Sequence, residues 1–414
     1  MRLVEPRGKN RLEDYEQIVR EEEIETIRAL AEGLEGLSLT HVNSTYFGGG
    51  VAEILHRMVP LMRDVGLEAC WAVMEAPEEF FVITKLKLHN GLQGADVQLT
   101  EEEEELYLSY SEENAGHPCL DADLVVVHDY QPMAVVAYHD RPRGSKWVWR
   151  CHIDLSSPNE QVWTFVNRFT SFYDAAVFSM REFVREGLGV REVAIIPPSI
   201  DPLSNKNRPL GESEVLAILE KYDVDPDRPI ITQVGRFDPW KDPIGVIDVY
   251  RLVKEKVPGV QLLLVASMAH DDPESWVVFE RTIRHAGEDY DIHFLTNLVG
   301  VGDVEVNAFQ RASDVVLMKS IREGFGLAVS EALWKGVPVV GGNAGGIRIQ
   351  IIDGYNGFVV DSVEEAAEKV KFLLKHPEVA REMGRRGREH VRKNFLITRH
   401  LKDYLSLLLK LRLA

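Results

Sequence analysis

Val315-Val-Leu-Met318 and, just beyond it, Arg322-Glu-Gly-Phe-Gly-Leu-Ala-Val-Ser-Glu-Ala-Leu-Trp-Lys-Gly336 read as one unit: a buried strand, a glycine-containing loop, and a helix that ends before Gly336. Gly324 and Gly326 let the backbone turn tightly and come close to a ligand. The start of the helix then offers unpaired N–H groups and a partial positive charge, which together suit a phosphate. Glu323 and Glu331 stand eight positions apart around this loop, roughly 12 Å if the stretch were helical throughout. A phosphate placed on either carboxylate would be repelled, whereas hydroxyls on either side of an anion hole would be welcome. A sugar on one side and a ribose on the other fits that geometry. The plainer alternative is a solvated Glu in a turn and another on a helix face.

The same strand-to-loop pattern occurs upstream. Gln233-Val-Gly-Arg-Phe-Asp-Pro-Trp-Lys-Asp-Pro243 follows an apolar strand, so Arg236 and Lys241 stand at a strand's C-terminal end, where open α/β sheets bind ligands. A forked guanidinium beside a compact ammonium suits adjacent phosphates; ion pairing with Asp238 and Asp242 is the competing reading. Tyr46-Phe-Gly-Gly-Gly-Val-Ala-Glu-Ile54 again joins a strand to a helix, with glycines that permit close approach of a phosphate or sugar. It lacks the Gly-x-Gly-x-x-Gly spacing of a dinucleotide fingerprint. His128-Asp129 and His152-Ile-Asp154 both end predicted strands and can face one crevice. Ordinary hydrogen-bonding duty is the alternative for each.

These segments sit in a chain that alternates strand and helix nearly throughout. The spacing predicts strands at Leu37–Asn43, Glu68–Val73, Leu124–His128, Lys146–Ile153, Ala175–Ser179 and Val193–Ile196. In the second half it predicts Pro229–Val234, Gln261–Ala266, Ile292–Leu295, Val315–Met318 and Pro338–Gly341. Helical patterns at Val51–Asp64, Thr100–Glu113, Ile244–Val257, Val304–Arg311 and Val329–Lys335 separate many of them. Nearly continuous apolar strands between helices mark parallel sheets covered on both faces, an α/β fold. The run Pro202-Leu-Ser-Asn-Lys-Asn-Arg-Pro-Leu-Gly-Glu-Ser213 has no periodicity and reads as a linker. The expected division is therefore residues 1–205, residues 206–390, and a C-terminal helical segment 391–414.

Composition narrows the function. The chain has 414 residues, 45% hydrophobic and 27% charged, with 47 Lys+Arg against 66 Asp+Glu and a net charge of −19. That balance argues against nucleic acid or an anionic membrane as the main partner. Cys70, Cys119 and Cys151 are too few for a disulfide framework and form no Cys-x-x-Cys pair. The first residues carry no apolar signal region, and no apolar run approaches the ~18 residues of a membrane span, so a reduced, cytoplasmic protein is expected. Asp121-Ala-Asp123 has a metal-binding spacing but precedes its strand, which favours turn or cap duty. No metal is expected, and the phosphate-loop lysine and nucleophile-elbow motifs are absent. A homodimer is the default oligomeric expectation.

Taken together, the motifs resemble the retaining nucleotide-sugar glycosyltransferases of family 4. The resemblance rests on the Glu-x7-Glu pattern of Glu323 and Glu331, the Arg236 and Lys241 pair, and the early glycine loop, in that family's order. It covers nearly the whole chain. The order of motifs and His152-Ile-Asp-Leu-Ser-Ser-Pro-Asn159 are most similar to the trehalose-forming members that join glucose from a nucleotide donor to free glucose.

The resemblance implies a GT-B fold, with two Rossmann-like doubly wound domains facing across a cleft and a C-terminal helix crossing back to the first. Its implied substrates are a nucleotide-diphosphate-glucose (UDP- or ADP-glucose) and a soluble sugar acceptor, with no cofactor required. Arg236 and Lys241 would hold the diphosphate and stabilise the leaving nucleotide, and Glu331 would take the ribose hydroxyls. Glu323, with Gly324 and the backbone of Phe325, Gly326 and Leu327, would hold the donor sugar and phosphate. His152 would face the reacting sugar, Gly49 and Gly50 would line phosphate and acceptor, and Asp129 and Asp154 would meet the acceptor. Leu298 and Val299, after the Ile292–Leu295 strand, would contact the base through backbone atoms. Phe47 stands where bacterial-type glycogen synthases carry a lysine, which disfavours glucan elongation. A sucrose-phosphate-synthase-like transferase and a nucleotide-sugar epimerase on the same fold share the donor motifs and remain alternatives. Two domains on one linker also suggest closure that excludes water.

Overall fold

Thirteen strands, nearly all within predicted apolar runs, build two sheets in the computed structural model, which describes residues 1–268 and 273–413. The first sheet contains β1 (Arg2–Leu3), β2 (Ser38–Asn43), β3 (Glu68–Val73), β4 (Leu124–His128), β5 (Lys146–Arg150), β6 (Ala175–Phe178) and β7 (Glu192–Ile195). Their order is β1-β3-β2-β4-β5-β6-β7. Every pairing is parallel except β1 with β3. The second sheet contains β8 (Ile230–Val234), β9 (Gln261–Ala266), β10 (Ile292–Thr296), β11 (Val315–Met318), β12 (Val339–Gly342) and β13 (Gly357–Val360). Its order, β10-β9-β8-β11-β12-β13, is all parallel. This is the doubly wound dinucleotide-fold order, whose switch point lies between β8 and β11.

The apolar continuity of the strands has a direct cause. On β9, Leu262 and Leu264 pack into one core with Ile231, Val246 and Val315. Leu263 and Val265 pack into another with Ile230, Leu295 and Phe309. Both faces are covered, so residues 262–266 of this strand are apolar without interruption.

The chain divides into two compact units, one formed by residues 1–199 with the C-terminal helix Ile397–Leu413, the other by residues 200–396. The division falls at Ser199/Ile200 and not near residue 205, and the C-terminal segment of the first unit starts at Ile397 and not at 391. Residues 201–208 look like a linker by composition but fold onto the second unit. Asp201, Ser204 and Asn207 are buried. The Asn207 amide donates to the Asp201 carbonyl at 3.0 Å, and the Asn307 amide donates to the carbonyls of Asn205 and Arg208, both at 2.9 Å. Polar residues there serve backbone satisfaction and not flexibility. Two strands escaped the reading altogether: β1, an antiparallel edge of two residues, and β13. The predicted strand over Lys146–Ile153 stops at Arg150, because the His152 N–H turns away to the Asp129 carboxylate. Among the described residues no helix is long and apolar enough to cross a membrane.

Candidate active site

In the second unit, the loops after β8 and β11 carry the charged groups, so these arise at the switch point itself. After β8, Asp238 accepts the Trp240 N–H at 2.9 Å and nucleates a short turn ending at Lys241. The Gln233 amide donates to the Lys241 carbonyl at 2.8 Å and fixes the root of that side chain. Asp242 then caps the helix Pro243–Lys254 by accepting the Gly245 N–H at 3.0 Å, while Lys319 from the neighbouring loop pairs with it at 2.5 Å. Arg236 lies exposed on the same loop.

Lys241 Nζ reaches across to Glu323 Oε2 in a direct ion pair, and Ser320 Oγ donates to the same oxygen at 3.2 Å. Glu323 is buried. The Ile321 N–H donates to the Trp240 carbonyl at 2.7 Å, so the two loops are also stitched through backbone. Gly326, at φ 81°, caps the helix Leu327–Trp334. Glu323 therefore lies off the helix and Glu331 on it, which replaces the all-helical spacing considered above. Lys241, Glu323 and Gly326 form one cluster: a Cβ built on Gly326 would lie 3.2 Å from Glu323 Cγ and Cδ. Glu331 is buried on the helix, with Lys206 Nζ 3.7 Å from its Oε1. Each carboxylate thus has its own lysine, which removes the repulsion that two bare carboxylates would impose on an anion between them.

The phosphate-type loop is held from behind by residues the sequence reading passed over. Gln350, fully buried, donates to the carbonyls of Phe325 at 2.5 Å and Gly346 at 3.0 Å, and accepts from Ser330 Oγ at 2.5 Å. A Cβ on Gly346 would fall 2.3 Å from Phe325 Cα, so the loop rests directly on that glycine. The Phe325 ring is buried against Phe395, leaving only its backbone for a ligand. Q350A deletes these bonds and leaves buried carbonyls without a donor. It is expected to lower stability by about 1–3 kcal/mol, visible as a reduced melting temperature.

At the end of β10, Asn297 bonds both the N–H and the carbonyl of Met268, at 2.7 and 3.0 Å, tying the ends of β9 and β10 together. Leu298 and Val299 follow on a short exposed turn, 56% and 57% exposed. Their side chains occupy no core.

The remaining candidates belong to the first unit. Gly49 caps and Gly50 opens the helix Gly50–Asp64 that follows β2. Asp129 and His152 follow β4 and β5 and are bonded: the His152 N–H donates to Asp129 Oδ1 at 2.7 Å. Asp129 adopts a left-handed φ of 61°, and burial pushes its carboxyl up to about 7, opposed by the His152 N–H and Arg150. The Asp154 carboxylate accepts the Ser156 N–H at 2.8 Å, an Asx turn leading out of the strand end. Asp123 accepts from the N–H and hydroxyl of Ser38, the structural duty its position before β4 implied. Among the described residues no group of three or more His, Cys, Asp or Glu gathers as a metal site would require.

Known proteins bear on this arrangement. Residues 41–185 match the family described as "Trehalose synthase, N-terminal domain", and residues 216–390 match "Glycosyl transferases group 1". The trehalose synthase of Pyrococcus horikoshii is 58% identical over 403 residues, covering 97% of this chain and 96% of that one. The trehalose synthase of Rubrobacter xylanophilus is 51% identical over 408 residues, covering 98% of each. The solved sucrose-phosphate synthase from Thermosynechococcus elongatus superposes with a TM-score of 0.67 at 16% identity, over 91% of this chain and 99% of that one. An α,α-trehalose-phosphate synthase from Burkholderia xenovorans, in complex with glucose-6-phosphate, gives 0.69 at 15%, over 90% and 100%. At such identities the two structures speak for the GT-B fold alone. With two relatives above half identity over nearly their full length, the chain is a glycosyltransferase and belongs to the trehalose synthase family.

Proposed function

We propose that this enzyme transfers glucose, with retention and without a metal ion, from UDP- or ADP-glucose to free glucose, forming trehalose. The observation that carries the reading is the cluster at the β8/β11 switch point, where Lys241, Glu323 and the helix start at Gly326 meet. Trehalose synthase relatives support the product class.

The demanding step is heterolysis of the anomeric carbon–oxygen bond, in which the diphosphate leaves with the electron pair. Fixed positive groups aimed at that developing charge lower the barrier most. Arg236, Lys241 and the N–H groups at the start of the helix Leu327–Trp334 are assigned to it. Glu331 would take ribose hydroxyls, and Leu298 and Val299 would meet the base through backbone. Glu323 and Gly324 would hold the donor sugar. The acceptor hydroxyl then attacks the anomeric carbon on the face the diphosphate is leaving, and its proton passes to a leaving phosphate oxygen. In the first unit, Gly49 and Gly50 would line phosphate and acceptor, His152 would face the reacting sugar, and Asp129 and Asp154 would meet acceptor hydroxyls.

Incubation with UDP- or ADP-glucose and free glucose in excess EDTA, with products identified by NMR, is the test. The expected result is a non-reducing disaccharide, α in both halves, at a rate unchanged by the chelator. Product only with glucose 6-phosphate would move the enzyme to the sugar-phosphate acceptors. Donor conversion without acceptor would make it an epimerase, and loss of activity in EDTA would reject the metal-free assignment.

A further inference from the structure

Three histidines far apart in sequence form a continuous hydrogen-bonded file in the first unit. The parallel register sets His41 on β2 opposite Val126 on β4, and His128 opposite Arg150 on β5. Side chains two apart on a strand share a face, so His41, Val126, His128 and Arg150 line one face, stepping toward the C-terminal edge where His152 stands. His41 Nδ1 lies 2.9 Å from His128 Nε2, and His128 Nδ1 lies 2.9 Å from His152 Nε2. At the inner end, His41 Nε2 meets the Sδ of Met62, from the helix Gly50–Asp64, at 3.3 Å. His41, His128 and Met62 are buried.

The direction of this file follows from its inner terminus. A neutral imidazole has one N–H and one lone pair, and a thioether sulfur can only accept. The rings are held neutral: burial alone pushes His41 down to about 3, and burial together with Arg150 holds His128 and His152 well below the usual histidine range. The other groups facing them, His400 (kept neutral by burial, Arg399 and Arg150) and Tyr404 (its hydroxyl held protonated by burial), supply no anion. Asp129, the carboxyl near His152, receives that residue's backbone N–H. With neutral rings, each link fixes the next. If His41 Nε2–H points at Met62, His128 Nε2–H points at His41 Nδ1, and His152 Nε2–H points at His128 Nδ1. The opposite order would set the His41 Nε2 lone pair against the sulfur in a dry interior, two acceptors with no proton between them, which is the costlier arrangement.

We propose that Met62, His41 and His128 form a directional hydrogen-bond file that fixes His152 as its Nε2–H tautomer and leaves its Nδ1 as a hydrogen-bond acceptor for a sugar hydroxyl. Met62, His41 and His128 are positioning residues acting through His152. The consequence is chemical selectivity at that point: a lone pair takes the proton of a hydroxyl and repels a phosphate oxygen. The proposal rests on His152 facing a sugar.

The full-length protein labelled with ¹⁵N-histidine, read by long-range proton–nitrogen NMR at neutral pH, tests the file directly. His41, His128 and His152 are expected in the Nε2–H form, with Nδ1 unprotonated. An Nδ1–H or doubly protonated ring at His128 or His152 overturns the proposal. In M62L the acceptor for His41 Nε2–H is gone, so the tautomers are expected to become mixed and KM for the sugar contacted by His152 to rise about fivefold, the loss of one hydrogen bond. Unchanged tautomers in M62L would overturn the anchoring role of the sulfur. Substitutions at 152 separate this from the functional reading. His152→Ala is expected to raise KM for one sugar, and His152→Asn, whose side-chain oxygen falls near the Nδ1 position, to recover it. If the tautomers hold while both variants leave each KM unchanged, the file stands and the placement of His152 on a sugar fails.

Discussion

Replacing Lys241 by alanine is expected to lower kcat/KM about 10²–10³-fold, the usual loss when one fixed charge-stabilising donor leaves an active site. The geometry places this substitution at the top of that range. On the proposed reading Lys241 has two duties: it would offer an ammonium to the leaving diphosphate, and it pairs with Glu323. K241A removes the cation and leaves the buried Glu323 carboxylate without its lysine, where the proposed diphosphate would have to bind. Stability should fall as well. Breaking a fully buried pair costs about 3–5 kcal/mol, and here less, because the lysine side chain is 21% exposed. The double variant K241A/E323Q separates the two effects. Removing the stranded charge is expected to restore much of the lost melting temperature while activity stays low, since on the proposed reading neither the cation for the diphosphate nor the carboxylate for the donor sugar returns. Recovery of activity in the double variant would mean that Lys241 matters only as a counter-ion to Glu323.

Gly326→Ala is the second large effect. The residue holds φ 81° and ψ 72°, a conformation that costs an L-residue roughly 1–2 kcal/mol. The added Cβ would also crowd the Glu323 side chain at 3.2 Å. That side chain has little room to move, since Lys241 and Ser320 both hold Oε2. Either the carboxylate or the helix start has to shift, and a displacement near 1 Å at reacting groups costs on the order of 10² in rate. Alanine at Gly336, just past the other end of the same helix, offers the control: it also sits at φ 81°, but a Cβ there meets nothing within 4 Å. Comparable stability losses with a much greater rate loss at 326 are expected from melting curves and steady-state kinetics. Equal rate losses would mean that strain, and not the displaced carboxylate, is responsible.

The elements that could be read from sequence are those whose physics is local. β9 and β11 were legible because both faces are buried, so residues 262–266 and Val315–Met318 are apolar without interruption. Gly326 was legible because a strand, a glycine loop and a helix follow one another within a few residues. β1 was not, since two residues carry no periodicity and its pairing partner lies some seventy positions away. Lys206 was hidden inside a run whose polarity suggested a linker, and only the fold sets it beside Glu331. Gln350 carries no motif; its amide matters because the chain brings it behind the 325–326 carbonyls. His41, His128 and His152 are lone histidines in sequence, and parallel register alone makes them neighbours. Their spacing holds no signal of contact.

A crystal structure with a nucleoside diphosphate or intact nucleotide-sugar bound tests the proposed chemistry most directly. The expected result is a diphosphate held by the Arg236 guanidinium, the Lys241 ammonium and the backbone N–H groups that open the helix Leu327–Trp334. A diphosphate bound away from these three groups, or bridged to protein through a metal ion, would contradict it.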